Sequence, residues 1–587
     1  MITGEISIAK KIRQVMGVCK ASIKVARQQG ITSLVSQSME KLRRREFHVL
    51  EPSVPDADYL AWINSHEPTE ADLTEQRALA RELGVRPLIS LLTPVWNPNP
   101  DVLFKTFSSV VNQTYNNWEL IAVDGGSNDK VRRILREFSS RDQRIHVTFL
   151  KENLGISANT NHALQQAHGD FAGFLDQDDI LAPFALYEVA TCIDRQPDLD
   201  FIYSDMDRID SEGKRFDPLF KPQWSPEIML STNYVVHLCV VRSKLLRKMG
   251  GLRSETDGAQ DWDMILRLSE ATGRIYRIPK ILYHWRQAPT STATTGLRLK
   301  PAHIDAHLRV LSDCISRKGI KGTISPDRTG FLRVRFQLDE LPLVSIIIYP
   351  DNSSTDLARC IHSVENRTKK YDNYEILVVD SNPHATSEPH TRAIQHPTAK
   401  EFSSAANIGA GLAKGNILVF LDTHAEVVSP GWLEELAGWS VQPWTGAIGL
   451  KLLWPNGIIR HGGVIIGMPD YLFSGAPEQS WTPLGHTEWY RNCSAVSAAC
   501  LATRKDVFKS VGGFDETVDS ASDLLYCLRL REQNYRIVYT PFAKLVLHEN
   551  CHCHTARLPA SLRLGQSSDP YFNPNLEIGK SIPTIRL

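Results

Sequence analysis

Short apolar runs alternate with helical stretches along most of this chain. Leu88-Ile89-Ser90-Leu91-Leu92 reads as a buried strand closed by Thr93-Pro94. A helical stretch follows from about Asp101 to Gln113, and Leu120-Ile121-Ala122-Val123-Asp124 is a second strand ended by Gly125-Gly126-Ser127. A helix at about 130–139, a strand at 145–150, a helix at about 157–168 and a strand at 171–175 complete the run. This alternation predicts an α/β fold whose sheet is mostly parallel, with helices on both faces. Ligands of such sheets bind beyond the carboxyl ends of the strands, where Asp124 and Asp176 both stand.

The pattern then returns. Leu343 to Ile347 mirrors the first strand, and Glu375 to Asp380 mirrors Glu119 to Asp124. Leu418 to Asp422 mirrors Phe171 to Asp176, and Val511-Gly512-Gly513-Phe514 mirrors Met249-Gly250-Gly251-Leu252. A period of domain size predicts two homologous α/β domains rather than a solenoid. The expected order is a basic helical segment (1–86), a first domain (87–290), a connector (291–341), a second domain (342–555) and a tail (556–587). Within the connector the pattern predicts a helix over 301–318 and a strand over 331–337.

Composition adds little to this picture: 587 residues, 42% hydrophobic and 22% charged, suit a globular chain of two or three domains. A formal net charge of zero gives the whole chain no nucleic-acid signature. Residues 1–46, however, carry ten Lys/Arg against Glu5, Glu40 and Glu46. Ile8, Ile12, Val15, Cys19, Ile23 and Ala26 form one apolar helical face there. That face suits packing on the main body, or resting on an anionic membrane surface. With no apolar run of transmembrane length and no secretion signal, the expected location is cytoplasmic, peripheral at the inner face of the plasma membrane. Ten scattered cysteines read as reduced thiols, and the close spacing of Cys551-His552-Cys553-His554 argues against one zinc site.

Candidate chemistry concentrates in Asp176-Gln177-Asp178-Asp179, at the end of a strand. Carboxylates spaced i and i+2 there can converge on a hard cation shared with substrate phosphates. Three motifs occur in order: Pro94-Val95-Trp96-Asn97, Val123-Asp124-Gly125-Gly126-Ser127-Asn128-Asp129 and Leu175-Asp176-Gln177-Asp178-Asp179. With Asn153 to Asn159, Ile202-Tyr203-Ser204-Asp205, Lys221-Pro222-Gln223-Trp224-Ser225-Pro226, Gly258 to Asp263 and Ile281 to Arg286, the chain resembles the family-2 glycosyltransferases of GT-A fold. The likeness is strong over 87–290 and looser over 342–550, and it is nearest to tandem-domain transferases of bacterial O-antigen and surface-polysaccharide assembly, often labelled rhamnosyltransferases.

The resemblance implies an inverting transfer from a dTDP- or UDP-sugar to a glycan acceptor, lipid-linked in such assembly, with Mg²⁺ or Mn²⁺ as cofactor. It implies donor contacts at Pro94, Asp124, Asp176 and Arg286, metal ligation by Asp178 and His284, and Asp261 as general base. The residues also have plainer readings: Asp261 as the N-cap of a helix, His284 as a satisfied histidine, Asp263 as a first-turn charge. One departure is Gly125, where this family often carries a second aspartate. In the second domain the corresponding residues are Asp380, Asp422, His424, Asp523 as base and His548. Asp422-Thr423-His424 replaces a carboxylate with an imidazole, so either a second transferase or a degenerate glycan-binding domain is expected. The absence of a Gly-rich basic loop after the first strand argues against a nucleotidyltransferase.

Overall fold

Each predicted strand of the first domain is present in the computed structural model, which describes residues 54–287, 303–349, 354–380, 390–396, 401–518, 521–548 and 569–587. The apolar face at 6–29 and Cys551 to His554 lie outside the described residues. The first sheet comprises β1 (Ile89–Val95), β2 (Trp118–Asp124), β3 (Ile145–Phe149), β4 (Phe171–Phe174), β5 (Ile180–Leu181), β6 (Phe201–Ile209), β7 (Arg215–Leu219), β8 (Cys239–Arg242) and β9 (Ile275–Arg286). Its order is β3-β2-β1-β4-β8-β6-β9-β5, with β7 paired to β6. The β3-β2-β1-β4 half is parallel, and β8 runs antiparallel to both β4 and β6. The carboxyl ends of β1, β2 and β4 thus lie side by side, and the antiparallel half brings in loops from the other side.

A hairpin of β10 (Gly322–Pro326) and β11 (Leu332–Phe336) follows the helix Ile304–Arg317. The pattern gave β11 and the helix but not β10. The second sheet repeats the first, with the central order β14-β13-β12-β15-β22-β17-β23-β16. Here β12 is Val344–Tyr349, β13 Tyr374–Asp380, β14 Thr391–Gln395, β15 Ile417–Asp422 and β16 Ala425–Val427. β17 (Thr445–Leu453), β22 (Cys500–Arg504) and β23 (Arg536–Leu547) complete a mixed half, in which β22 is antiparallel to β15 and β17 while β23 is parallel to β17. The short strands β18 (Ile459–His461) and β21 (Arg491–Cys493) pair with β17 and β23, and β19 (Trp481–Thr482) pairs with β20 (Gly485–His486).

The repeat extends to single hydrogen bonds. Ser90 Oγ donates to Glu119 (2.5 Å) and accepts the Gly169 N–H (2.8 Å); Ser345 Oγ donates to Glu375 (2.6 Å) and accepts the Gly415 N–H (2.8 Å). A Cβ at Gly169 would stand 2.4 Å from Ser90 Oγ, and one at Gly415 2.6 Å from the Leu343 carbonyl, so only glycine fits either position.

The described residues from 54 onward form one compact unit. A contiguous apolar core runs from Leu91 and Phe201 through Phe331 and Val334 of the connector to Ile448 and Val538. Another cluster joins Tyr59 and Trp62, Phe220 and Ile281, Leu472 and Phe473, and Phe572 and Leu576. Residues 569–587, expected as a tail, are therefore packed against both domains.

Candidate active site

Three loops at adjacent strand ends build the first site. Asn97 N–H donates to Ser127 Oγ (2.8 Å), and Asn97 Oδ1 accepts the Asn128 N–H (2.9 Å), tying the β1 loop to the β2 loop. Asn128 in turn caps the helix Asp129–Arg141. Gln177 Oε1 accepts the Trp96 N–H (2.7 Å), which ties the β1 loop to the acidic loop. Asp124 is fully buried: it accepts the Ser127 N–H (3.1 Å) and pairs with Arg132 (2.9 Å). Its carboxylate therefore fixes the turn.

Two cavities meet at Asp176. One, of ≈ 240 Å³, is walled by Pro94, Trp96, Asn153, Asn159, Gln177 and Asp178. Trp96 is 54% exposed there, an open aromatic face. The other, of ≈ 360 Å³, is walled by Ile156, Leu252, Trp262, Trp285, His237 and Asp261. Pro94, Ile156 and Asp176 line both.

The acidic run divides its roles. Asp179 is buried, accepts from Tyr283 Oη (2.6 Å) and from the Arg286 N–H (2.7 Å), and its pKa is held well above the usual carboxylate range by burial and by Asp178 and Asp176. Burial and then the charge of Asp176 push Asp178 up to about 6. His237 Nε2 lies 3.7 Å from Asp176 Oδ2, and its ring stacks on Tyr283 at 4.5 Å. Among the described residues one carboxylate–imidazole group has metal-ligand spacing: Asp176, Asp179 and His237, whose donor atoms lie within 4.8 Å of one another. Such a mixed oxygen and nitrogen set fits Mn²⁺ better than Mg²⁺.

Asp261 lies in the first turn of the helix Gln260–Ala271, whose N-cap is Ala259, so it is not the cap. Its Oδ2 accepts from Asn233 Nδ2 (2.9 Å) at the wall of the larger cavity. Asp263 faces away, buried between Arg253 (2.5 Å) and Arg267 (2.7 Å).

Two placements correct the sequence reading. Side chains alternate along β9: Tyr283 and Trp285 face His237, so His284 faces the other side of the sheet. There its Nδ1 lies 2.6 Å from Asp207, which also accepts from Tyr59 and Arg215. Burial would raise the Asp207 pKa, but His284 and Arg215 outweigh it and the pKa is lowered. Arg286 lines neither cavity; it braces the acidic loop, donating from Nε to the Asp178 carbonyl (2.7 Å) and from Nη1 to the Asp210 carbonyl (3.0 Å). His237 and Asn233 had no motif to mark them, and Lys221 lay in a quoted motif without a role.

In the second domain, Asp422 Oδ1 accepts the His424 N–H (2.7 Å) and lies 2.9 Å from His424 Nδ1. Asp380 ends β13, opposite Gln395 of β14. His548 Nε2 lies 2.7 Å from Glu426. Asp523 is buried and accepts two backbone amides, Ala498 (3.0 Å) and Leu524 (2.8 Å). Asn161 and Asn407 hold Leu252 and Phe514 by the same pair of backbone bonds, which fixes the equivalence of the two sites. The cavity residues Pro94, Ile156, Leu252 and Met264 then correspond to Tyr349, Phe402, Phe514 and Tyr526. These four rings are buried and pack with Phe420 and Phe508 at centroid distances of 4.7–5.3 Å. Aromatic side chains thus stand in the second domain at four positions that line the larger cavity in the first.

The family model described as glycosyl transferase family 2 matches residues 90–250 and 345–512. The chain is 38% identical over 552 residues to the O-antigen biosynthesis protein RfbC of Myxococcus xanthus, covering 89% of this chain and 43% of that protein. It is 34% identical over 559 residues to protein y4gI of Sinorhizobium fredii, covering 89% of this chain and 60% of that protein. The chain thus spans less than two thirds of either relative. The crystal structure of S. aureus TarS 1–349 with UDP-GlcNAc aligns over 39% of this chain and 66% of that chain, at 22% identity and a TM-score of 0.33.

Proposed function

This chain belongs to glycosyl transferase family 2, with two such domains, and we propose that its first domain alone transfers a sugar from a nucleoside-diphosphate donor to a growing cell-surface glycan. One observation carries the reading: Asp176 lines two cavities at once, with the aromatic face of Trp96 on one side and Asp261 on the other. The smaller cavity suits a nucleotide, its base on Trp96, and the larger suits the transferred sugar and the acceptor hydroxyl. Asp176, Asp179 and His237 would hold a divalent cation, with Asp178 a further carboxylate on the nucleotide-side wall. That cation, when bound, supplies Lewis-acid neutralisation of the departing diphosphate.

Asp261 takes the acceptor proton as the hydroxyl oxygen bonds to the anomeric carbon. The bond from that carbon to the diphosphate oxygen breaks, and its electron pair leaves with the diphosphate. A single displacement inverts the anomeric configuration. Asn233 keeps the Asp261 carboxylate turned toward the cavity. The acceptor in this reading is a lipid-linked glycan, met at the inner face of the membrane by the basic segment 1–46. The aromatic cluster at the four matching positions and the backbone-bound Asp523 support a non-catalytic second domain.

The test is a turnover screen of UDP- and dTDP-sugars with Mg²⁺ or Mn²⁺. Wild type should release nucleoside diphosphate in a metal-dependent way. Asp176→Ala should abolish release, and Asp261→Asn should lower transfer by about 10²–10⁴-fold while leaving nucleotide binding intact. Metal-dependent turnover that survives Asp176→Ala sinks the site assignment.

A further inference from the structure

Lys221 is wholly buried, yet its ammonium is saturated: Nζ donates to the carbonyls of Ser204 (2.5 Å), Val235 (2.6 Å) and His237 (2.5 Å). Burying an ammonium costs several kcal/mol unless hydrogen bonds and a counter-charge offset it. The counter-charge is Asp205, also fully buried, whose Oδ1 accepts the Lys221 N–H (2.9 Å). Burial draws the Lys221 pKa down to about 7 against the charge of Asp205, and pushes Asp205 up to about 6 against the charge of Arg277 and the bonds from Asn573 and Lys221.

Two of the three carbonyls belong to the loop 233–238. That loop carries Asn233, which holds Asp261, and His237, which stands beside Asp176. The remaining valences of the Asp205–Lys221 pair are closed by Arg277, whose Nη1 donates to the Lys221 carbonyl (2.6 Å), and by the far end of the chain. Asn573, fully buried, uses one Nδ2 hydrogen for Asp205 Oδ2 (2.8 Å) and the other for the Lys221 carbonyl (3.0 Å). The segment around it makes two more bonds to the first domain: the Gln223 N–H donates to the Pro570 carbonyl (2.9 Å), and Asn575 Nδ2 donates to the Pro279 carbonyl (2.8 Å). Its start is fixed in the second domain, where Asp569 Oδ2 accepts from the Ile466 N–H (2.7 Å) and Ser494 Oγ (2.5 Å). Phe572 and Leu576 seal it in the apolar cluster shared by both domains. Neither the segment nor the connector falls within the residues matched by the family model.

We propose that residues 569–576, anchored on the second domain, are a positioning element of the first domain's active site: Asn573 fixes the Asp205–Lys221 pair, and Lys221 fixes the loop that presents Asn233 and His237 to the cavity. The second domain thereby acts on the reaction by holding this loop. The proposal rests on the reading of that cavity as the transfer site only for its effect on ligands; the clamp itself is a statement about the loop.

Hydrogen exchange on the full-length chain reads the clamp directly. In Asn573→Ala, and in Lys221→Met, amides of residues 233–239 should exchange at least about tenfold faster, while those of β13 and β15 keep wild-type rates. Ser90→Ala, which removes the buried bonds of Ser90 Oγ to Glu119 (2.5 Å) and to the Gly169 N–H (2.8 Å) at the amino end of β1, should leave 233–239 unchanged. Wild-type rates at 233–239 in both clamp variants overturn the proposal. So does a uniform rise over both domains, the mark of a merely structural contact. Should either variant fail to fold, the wild type still decides: amides of 571–576 and of 233–239 should share one opening free energy, and unequal values overturn the clamp.

A second arm titrates UDP with and without Mn²⁺. Asn573→Ala should weaken the Mn²⁺-dependent part of UDP binding about tenfold and leave metal-free binding unchanged, because the Trp96 side does not touch the loop. Equal loss with and without Mn²⁺ counts against the clamp. A wild type that binds no UDP or dTDP in either condition refutes the transferase reading instead, and leaves the exchange result standing.

Discussion

Asp178 and Asp179 share a small volume with Asp176, and three adjacent carboxylates there do not ionise independently. Asp178, raised to about 6, is protonated in the metal-free protein at pH 5 and ionised at pH 7. A cation competes with that proton. Mn²⁺ affinity should therefore fall as pH drops through about 6, with proton release on binding below that point. Isothermal titration at pH 5, 6 and 7 in buffers of different ionisation enthalpy measures both. In Asp178→Asn the inflection should disappear; a flat wild-type profile across this range would place the cation elsewhere. Asp261 is set apart from this group by the cavity and by its bond to Asn233, so its substitution should change transfer rather than metal affinity.

At the scale of elements, the two domains share every β-strand of the parallel half and differ in the side chains that stand beyond it. Four positions around the first cavity, Pro94, Ile156, Leu252 and Met264, become Tyr349, Phe402, Phe514 and Tyr526. Phe514→Ala should therefore behave as a core truncation, destabilising by about 3–5 kcal/mol in urea unfolding. Asp523→Asn should cost about 1–3 kcal/mol through its two backbone amides, and Asp422→Ala with Asp523→Asn should leave turnover at the wild-type rate. A loss of turnover in folded Asp422→Ala would restore a catalytic second domain.

The parallel strands were legible in the sequence, and the placing of the acidic loop and Asp261 beside one cavity could be sought there, because each is marked within a few residues by an apolar run or a motif. The aromatic cluster of the second domain was not legible, since Phe402 and Phe514 declare their common face only once Asn407 has joined their elements. His284 was misread for a related reason: alternation along β9 says that neighbours point apart, and only the packed sheet says which side holds the cavity. His237, Asn233 and Lys221 act through contacts between loops, and Asn573 meets Asp205 across 368 residues of chain, beyond any local pattern.

The chain from residue 54 onward behaves in this reading as one folding unit built from two copies of a domain. Its apolar core is continuous from β1 through the connector to β23, and the interface is laced by buried polar bonds such as Ser225–Asn492 (2.7 Å) and Tyr490 N–H to Ser231 Oγ (3.1 Å). Ser231 lines the larger cavity, so the second domain touches the wall of the site as well as its loop. Two consequences separate this arrangement from two domains on a linker. Calorimetry should show one transition for residues 53–587, with a calorimetric to van 't Hoff enthalpy ratio of about 1. A nucleoside diphosphate with Mn²⁺ at about 100 times its Kd should add roughly 2.7 kcal/mol to that single transition. Because the ligand sits on the first domain, the decisive signal comes from the second: buried Trp432 and Trp439 report it, and their unfolding midpoint should rise in step with the whole. If ligand moves a first transition and leaves a second one fixed, the domains fold independently, and the loop held by Lys221 would not depend on what Asn573 does.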